Sequence, residues 1–337
     1  MSRHGKIIKA VALTLLLILA GPSCKRILLY DPEGGVFLEL HLRQEFEDFL
    51  PCDVNISTDG NFRNNAYGLT PEIVRVLMYD PNTHDQVYED LLPVTGGFID
   101  VAPGVYDVVA YGIGTARTRM YDNTRNRGLL KAYTDKKGNI SQHGITGGGQ
   151  SGDYAIIDQP DQLYGGRISE MSIQVRPQEE GFTVIKMDLE PMVQTYSFRA
   201  YNITGLEHVS SVNCFITGQA PDRFLWDQHF TVKPVALNFN LTKDPDTYSL
   251  KAVFNTFGKI PEYSAKAYLQ VRVQTAGGKI YQWSYDVTDQ FDNPDNNCHS
   301  IIVTDPVDIP DDAEGDNESA FGPGVNPWEP EIYDIHL

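Results

Sequence analysis

The stretch AKAYLQVRVQTAGGKIYQWSYDV, residues 265–287, sets the fold class. Ala265, Ala267, Leu269, Val271 and Val273 alternate with Lys266, Tyr268, Gln270, Arg272 and Gln274. After Gly277-Gly278, Tyr281, Trp283, Tyr285 and Val287 alternate with polar residues again. A period of two marks a strand with one face buried, and strand, Gly-Gly, strand predicts a hairpin with positive φ at both glycines. The same alternation recurs in Val36, Leu38, Leu40 and Leu42, in Thr183, Ile185, Met187 and Leu189, and in Val235, Leu237, Phe239 and Leu241. Ile168, Met171 and Ile173 give a further strand that ends at Pro177. Many short strands separated by turn residues predict an all-β chain of two tandem β-sandwich domains with few short helices.

Between these strands the pattern is less uniform. Leu42, Phe46, Phe49 and Leu50 have the spacing of one short helix over His41–Leu50. PEIVRVLMYDPNTHD, residues 71–85, predicts a strand that stops at a Pro-Asn turn near Asp80. GGFIDVAPGVYDVVAYGIGT, residues 96–115, predicts a hairpin of two strands joined at Pro103-Gly104 by a type II turn. Residues 115–166, rich in Gly, Asn, Asp and Arg, predict long loops with two short strands. The polar run RPQEEG, residues 176–181, marks the division. The expected organisation is an export signal over 1–23, one sandwich over 24–177, a second over 178–304, and an acidic Pro/Gly-rich linker with a terminal strand over 305–337.

The chain has 337 residues, with 27 Lys and Arg against 45 Asp and Glu, a formal charge of −18. That balance argues against nucleic-acid binding, which needs clustered cations to displace counterions. Arg3, Lys6 and Lys9 precede a mostly apolar run from Ala10 to Gly21. That run has the length of a signal-peptide core and is shorter than the roughly 20 residues of a spanning helix. LAGPSCKR, residues 19–26, then places Ser23 before Cys24 in the manner of a bacterial lipobox, although Leu19 stands five residues before the cysteine rather than three. Cys24 is the expected lipid-attachment site, because it lies within a few residues of the end of the apolar core. Cys52, Cys214 and Cys298 then remain, an odd number, which argues against a disulfide framework.

No motif carries chemistry. HGITGGGQSGD, residues 143–153, lacks the Gly-Lys-Ser/Thr of a phosphate loop and the Gly-x-Ser-x-Gly of a hydrolase elbow. DQFDNPDNN, residues 289–297, has the wrong spacing for a calcium loop and reads as an Asx turn. Cys298-His299 supplies two potential ligands where zinc needs three or four. No enzyme activity, metal or cofactor is expected. The stripe Tyr281, Trp283 and Tyr285 reads as a core face rather than a sugar-stacking platform.

SCKRILLYDPEGGVFLELHL, TPEIVRVLMYDPNT, APGVYDVVAYGIGT, DQPDQLYGG and NPWEPEIYDIHL, in this order, resemble the Bacteroidetes fimbrial anchor and minor-fimbrial assembly lipoproteins of type V pili. The resemblance covers nearly all of the chain after the signal. It implies two tandem transthyretin-like sandwiches, a palmitoylated lipoprotein in the outer membrane, and pilin subunits as partners. It also implies assembly by strand addition, in which an open sheet edge takes a strand from another subunit. The tail EIYDIHL is then a candidate donor strand with Tyr333, Ile335 and Leu337 as inserted side chains, or a strand that pairs with its own domain. An anchor is expected to keep its first strand, with no trimming after Arg26 or Arg43. The competing reading is a glycan-binding surface lipoprotein of a polysaccharide-uptake system.

Overall fold

A computed structural model describes residues 36–42, 71–122, 125–143, 153–174, 183–260, 266–293, 299–311 and 332–334. The strands are β1 (Val36–Leu42), β2 (Ile73–Tyr79), β3 (Gln86–Pro93), β4 (Gly96–Ile99), β5 (Gly104–Gly112), β6 (Arg119–Tyr121), β7 (Lys131–Tyr133) and β8 (Lys136–Asn139). β9 (Ala155–Asp158), β10 (Tyr164–Ile173), β11 (Thr183–Pro191), β12 (Gln194–Ala200), β13 (Ile203–Thr204), β14 (Val209–Gln219), β15 (Asp222–Phe224) and β16 (Val235–Asn240) follow. The last are β17 (Thr242–Asp244), β18 (Ser249–Thr256), β19 (Tyr268–Thr275), β20 (Ile280–Asp286), β21 (Ser300–Val303), β22 (Val307–Asp308) and β23 (Ile332–Asp334). The α-helix among the described residues is the short Thr288–Asp292, which takes up the start of the stretch 289–297 read as an Asx turn; residues 294–297 of that stretch lie outside the described residues. The chain is all-β, as its alternation predicts.

The first sheet runs β3-β2-β5-β10-β11-β1-β4. Its end strands β3 and β4 are consecutive in the chain, so the sheet folds back over one core. Val36, Leu38, Leu40, Val74, Val76, Met78, Val108, Ala110, Met187 and Leu189 fill that core. β1 lies parallel to β11 along its whole length and antiparallel to β4. β5 does not pair with β4, so residues 96–112 do not form the expected hairpin; β4 pairs with β1, and β5 with β2 and β10. The loop Asp100–Pro103 carries the chain between the two faces of the fold, and Gly104 does not take the positive φ of a type II turn.

The second half forms two facing sheets, β17-β18-β12-β21 and β23-β20-β19-β14-β16-β9-β8. Leu237, Phe239, Phe254, Leu269, Val271, Trp283 and Tyr285 fill the space between them. β19 and β20 form the hairpin read in the sequence, from the Tyr268–Asp286 pair to the Gln274–Ile280 pair. Its turn differs in detail, because only Gly278 has a positive φ, of 92°. Gly278 N–H donates to Thr275 O (3.1 Å) and Thr275 N–H to Lys279 O (2.9 Å), so the loop is one step wider than a two-residue primed turn.

Strands of both sheets lie across the expected division at 177/178. β11 follows that position yet pairs with β1 and β10, whereas β9 precedes it and pairs in parallel with β16. A third core joins the two halves. Leu77, Tyr79, Val109 and Tyr111 point away from the first core and pack with Leu163, Met192, Leu225, Phe257 and Ile260. VLMY (76–79) and VVAY (108–111) are therefore unbroken apolar runs, because both faces of β2 and β5 are covered there. β15 also pairs with β7, and Asp222 on β15 accepts from Lys131 Nζ (2.6 Å) and Thr231 Oγ1 (2.7 Å).

The residues Asp305–Asp311 are tied down despite their acidic composition. β22 pairs with β13, and Val307 and Ile309 are buried in the second core. Gly205 makes this possible, since an added Cβ there would lie 1.9 Å from the Ile309 carbonyl oxygen.

Candidate functional site

The chemistry of strand pairing lies in main-chain donors and acceptors left open at sheet edges. β20 is the relevant edge of the second sandwich. Its inner side pairs with β19 over its full length, and its outer side meets β23 in parallel. Ile332 lies opposite Ile280, Tyr333 opposite Tyr281 and Asp334 opposite Gln282. From Trp283 to Asp286 the outer side of β20 has no strand partner among the described residues. Tyr333 is therefore placed on an edge of its own chain. Cys24, Ile335 and Leu337 lie outside the described residues, as do Cys52, Cys298, most of the glycine-rich loop and residues 43–50 of the expected helix, whose first two residues, His41 and Leu42, belong to β1 instead.

At the other end of the chain, β1 is enclosed on both sides. Val36, Leu38 and Leu40 are buried, and Gly96 lets β4 approach closely, since a Cβ on it would meet the Leu38 carbonyl oxygen at 1.9 Å. The opposite surface of this three-stranded layer carries the row Val184, Phe37 and Phe98, with the two phenyl rings edge-to-face at 5.0 Å.

The stripe Tyr281, Trp283 and Tyr285 is buried, with Trp283 only 3 % exposed. These rings are core, as their alternation predicts, and offer no sugar-stacking face. Trp226 is partly exposed, but the Arg127 guanidinium lies 4.1 Å from its ring centroid, and Arg127 pairs with the buried Asp107. Cys214 is fully buried, and desolvation pushes its thiol pKa well up, which leaves it an inert packing residue. No cluster of three or more His, Cys, Asp or Glu at metal-binding distance occurs among the described residues.

His299, weighed in the sequence as a metal ligand, is instead a ring in a stack. It lies 5.0 Å from Tyr196, which in turn packs on Phe291 and Phe254. Burial lowers its imidazole pKa. The folded chain thus binds this proton less well than the unfolded chain does, so the associated stability is complete above the ordinary histidine value near 6.5 and is lost as pH falls below it. Thermal unfolding followed at pH values from about 8 to about 5 is expected to show a midpoint that drops below about pH 6.5. His299→Phe should flatten that drop, and an unchanged slope in the variant would remove His299 as its source.

Residues 46–240, more than half of the chain, match the family described as a domain of unknown function, DUF5119. A Bacteroides ovatus protein provisionally named fimbrium anchoring subunit Fim4B is 32% identical over 210 residues, which are 62% of this chain and 52% of that protein. The chain thus matches about half the length of that curated relative. A crystal structure of a provisionally assigned adhesin from Bacteroides ovatus superposes with a TM-score of 0.55 at 22% identity, covering 94% of this chain and 98% of the other. The fimbrial anchor protein Mfa2 from Porphyromonas gingivalis aligns with a TM-score of 0.47 at 11% identity, covering 80% and 90%. With more than half of its length matched by that family model, the chain belongs to the DUF5119 family.

Proposed function

We propose that this protein is an outer-membrane lipoprotein of a type V fimbria, tethered through Cys24 and holding a pilin subunit by β-strand addition. The likeness to a protein named as a fimbrium anchoring subunit carries this reading. The second sandwich supports it physically. β20 presents a row of main-chain groups of which its own tail meets three residues, and an edge of that kind recruits an extended strand. β1 supports an anchor role as well, because it fills its place between β11 and β4. An anchor that keeps its first strand can terminate a chain of subunits without offering a second groove.

The lipid would hold the protein by itself. Each buried methylene contributes about 0.8 kcal/mol, so two or three acyl chains suffice. No helix among the described residues is long and apolar enough to cross a membrane.

A pull-down from outer membranes carrying intact fimbriae tests the partner. The full chain is expected to retain pilin, and a chain ending at Gly324 is expected to change the amount retained, since it lacks the strand on β20. Equal and negligible pilin in both would contradict strand addition at either the tail or the edge.

A further inference from the structure

The outer face of the layer formed by β11, β1 and β4 changes character along its length. At the start of β1 it carries the row Val184, Phe37 and Phe98, with Phe98 59 % and Val184 48 % exposed. Two residues further on, Glu39 lies opposite Lys186, and then His41 opposite Asp188, so the rest of the face is charged. The apolar row runs on into the loop after β4. Ile99 pairs with Val36, and Asp100–Pro103 leads from there to β5. Ala102 and Pro103 in that loop are exposed, as is Val105 at the start of β5. From Gly96 to Val105 the one charged side chain is Asp100.

This apolar end is also where the chain arrives from Cys24. Residues 25–35 separate the cysteine from Val36. Fully extended, that length of chain spans about 40 Å, so a lipid on Cys24 would keep the row beside Val36 within that distance of the membrane surface. Lys25 and Arg26 follow the cysteine directly and suit lipid phosphates.

We infer that this end of the first sandwich docks on the lipid surface. Phe37, Phe98 and Val184 reach past the headgroups, with the loop 100–103 beside them. Apolar side chains leave water there, and aromatic rings suit the boundary between wet and apolar layers. The inference rests on the reading of Cys24 as the tether. A short tether supplies an effective concentration on the order of millimolar, so a contact too weak to hold a free protein is occupied in the tethered one. The sandwich then sits on the membrane rather than at the full length of its linker. A second copy is the poorer occupant, since this row and one short loop fall well short of the roughly 20–30 residues per partner of a stable protein interface.

Vesicle binding by the mature chain carrying Cys24→Ser tests the contact without the tether. Vesicles of equal parts phosphatidylethanolamine and phosphatidylcholine present no anionic surface to the net charge of −18. Co-sedimentation is expected to saturate with a Kd on the order of 1 mM lipid. Phe98→Ser and Val184→Ser lie at exposed positions and leave the core intact. Each should weaken binding at least about fivefold. Ile302→Ser, at an exposed apolar position of the second sandwich, should leave it unchanged. No sedimentation up to about 10 mM lipid, or Phe98→Ser binding as well as its parent, would overturn the proposal. So would self-association without vesicles that Phe98→Ser abolishes, which would assign the row to a second copy. The assay uses a chain without lipid, so its failure leaves the tether standing, and loss of the tether leaves its result standing.

Discussion

Gly96→Val is expected to lower the unfolding free energy by about 3 kcal/mol or more, read from urea denaturation of the mature chain. Two effects act together. Gly96 has a φ of +92°, a region that a β-branched residue enters only with strain. Its Cβ would also lie 1.9 Å from the Leu38 carbonyl oxygen and 2.9 Å from the Leu40 nitrogen, both main-chain atoms that cannot swing aside. β4 must therefore leave β1, which uncovers Leu38 and Ile99 at the core. A loss below about 1 kcal/mol would mean that β4 is not needed to hold β1.

Trp283→Ala should cost about 3–5 kcal/mol, as large aromatic truncations in packed cores do. Trp283 lies opposite Val271 on β19 and shares the core of the second sandwich with Cys214 and Leu269. Because domains are stable by only about 5–15 kcal/mol, the variant would be near its unfolding threshold. This separates two readings. A sugar platform would lose ligand on Trp283→Ala with its stability intact, whereas the buried position predicts lost stability first. A variant with unchanged thermal midpoint would contradict the core placement.

Strands whose two faces differ in polarity were legible in the sequence, because alternation reports that difference directly, even where polar residues such as Gln270 and Gln282 are themselves buried. β11, β16, β19 and β20 read correctly for that reason. The third core was not legible. It covers both faces of β2 and β5, so VLMY and VVAY lose their period and the two halves appear as separate domains. β1 and β11 are neighbours, but nearly 150 residues separate them in the chain, and no local signal reports such a parallel pair. The pairing of β9 with β16 was hidden in the same way, within residues that read as loop. At Asp305–Asp311 the short alternation of Val307 and Ile309 was masked by the surrounding acidic residues. Cys24 was legible only as a motif, because the role proposed for it concerns a membrane and not the packing of the chain.

The central claim is that a lipid on Cys24 ties a fimbria to the cell. Its most direct test is fractionation of cells expressing Cys24→Ala in place of the native chain, with both this protein and the fimbriae followed by immunoblot. The account predicts that the variant leaves the membrane fraction and that fimbriae are shed into the medium. A variant that stays in the outer membrane, with fimbriae attached as before, would contradict it.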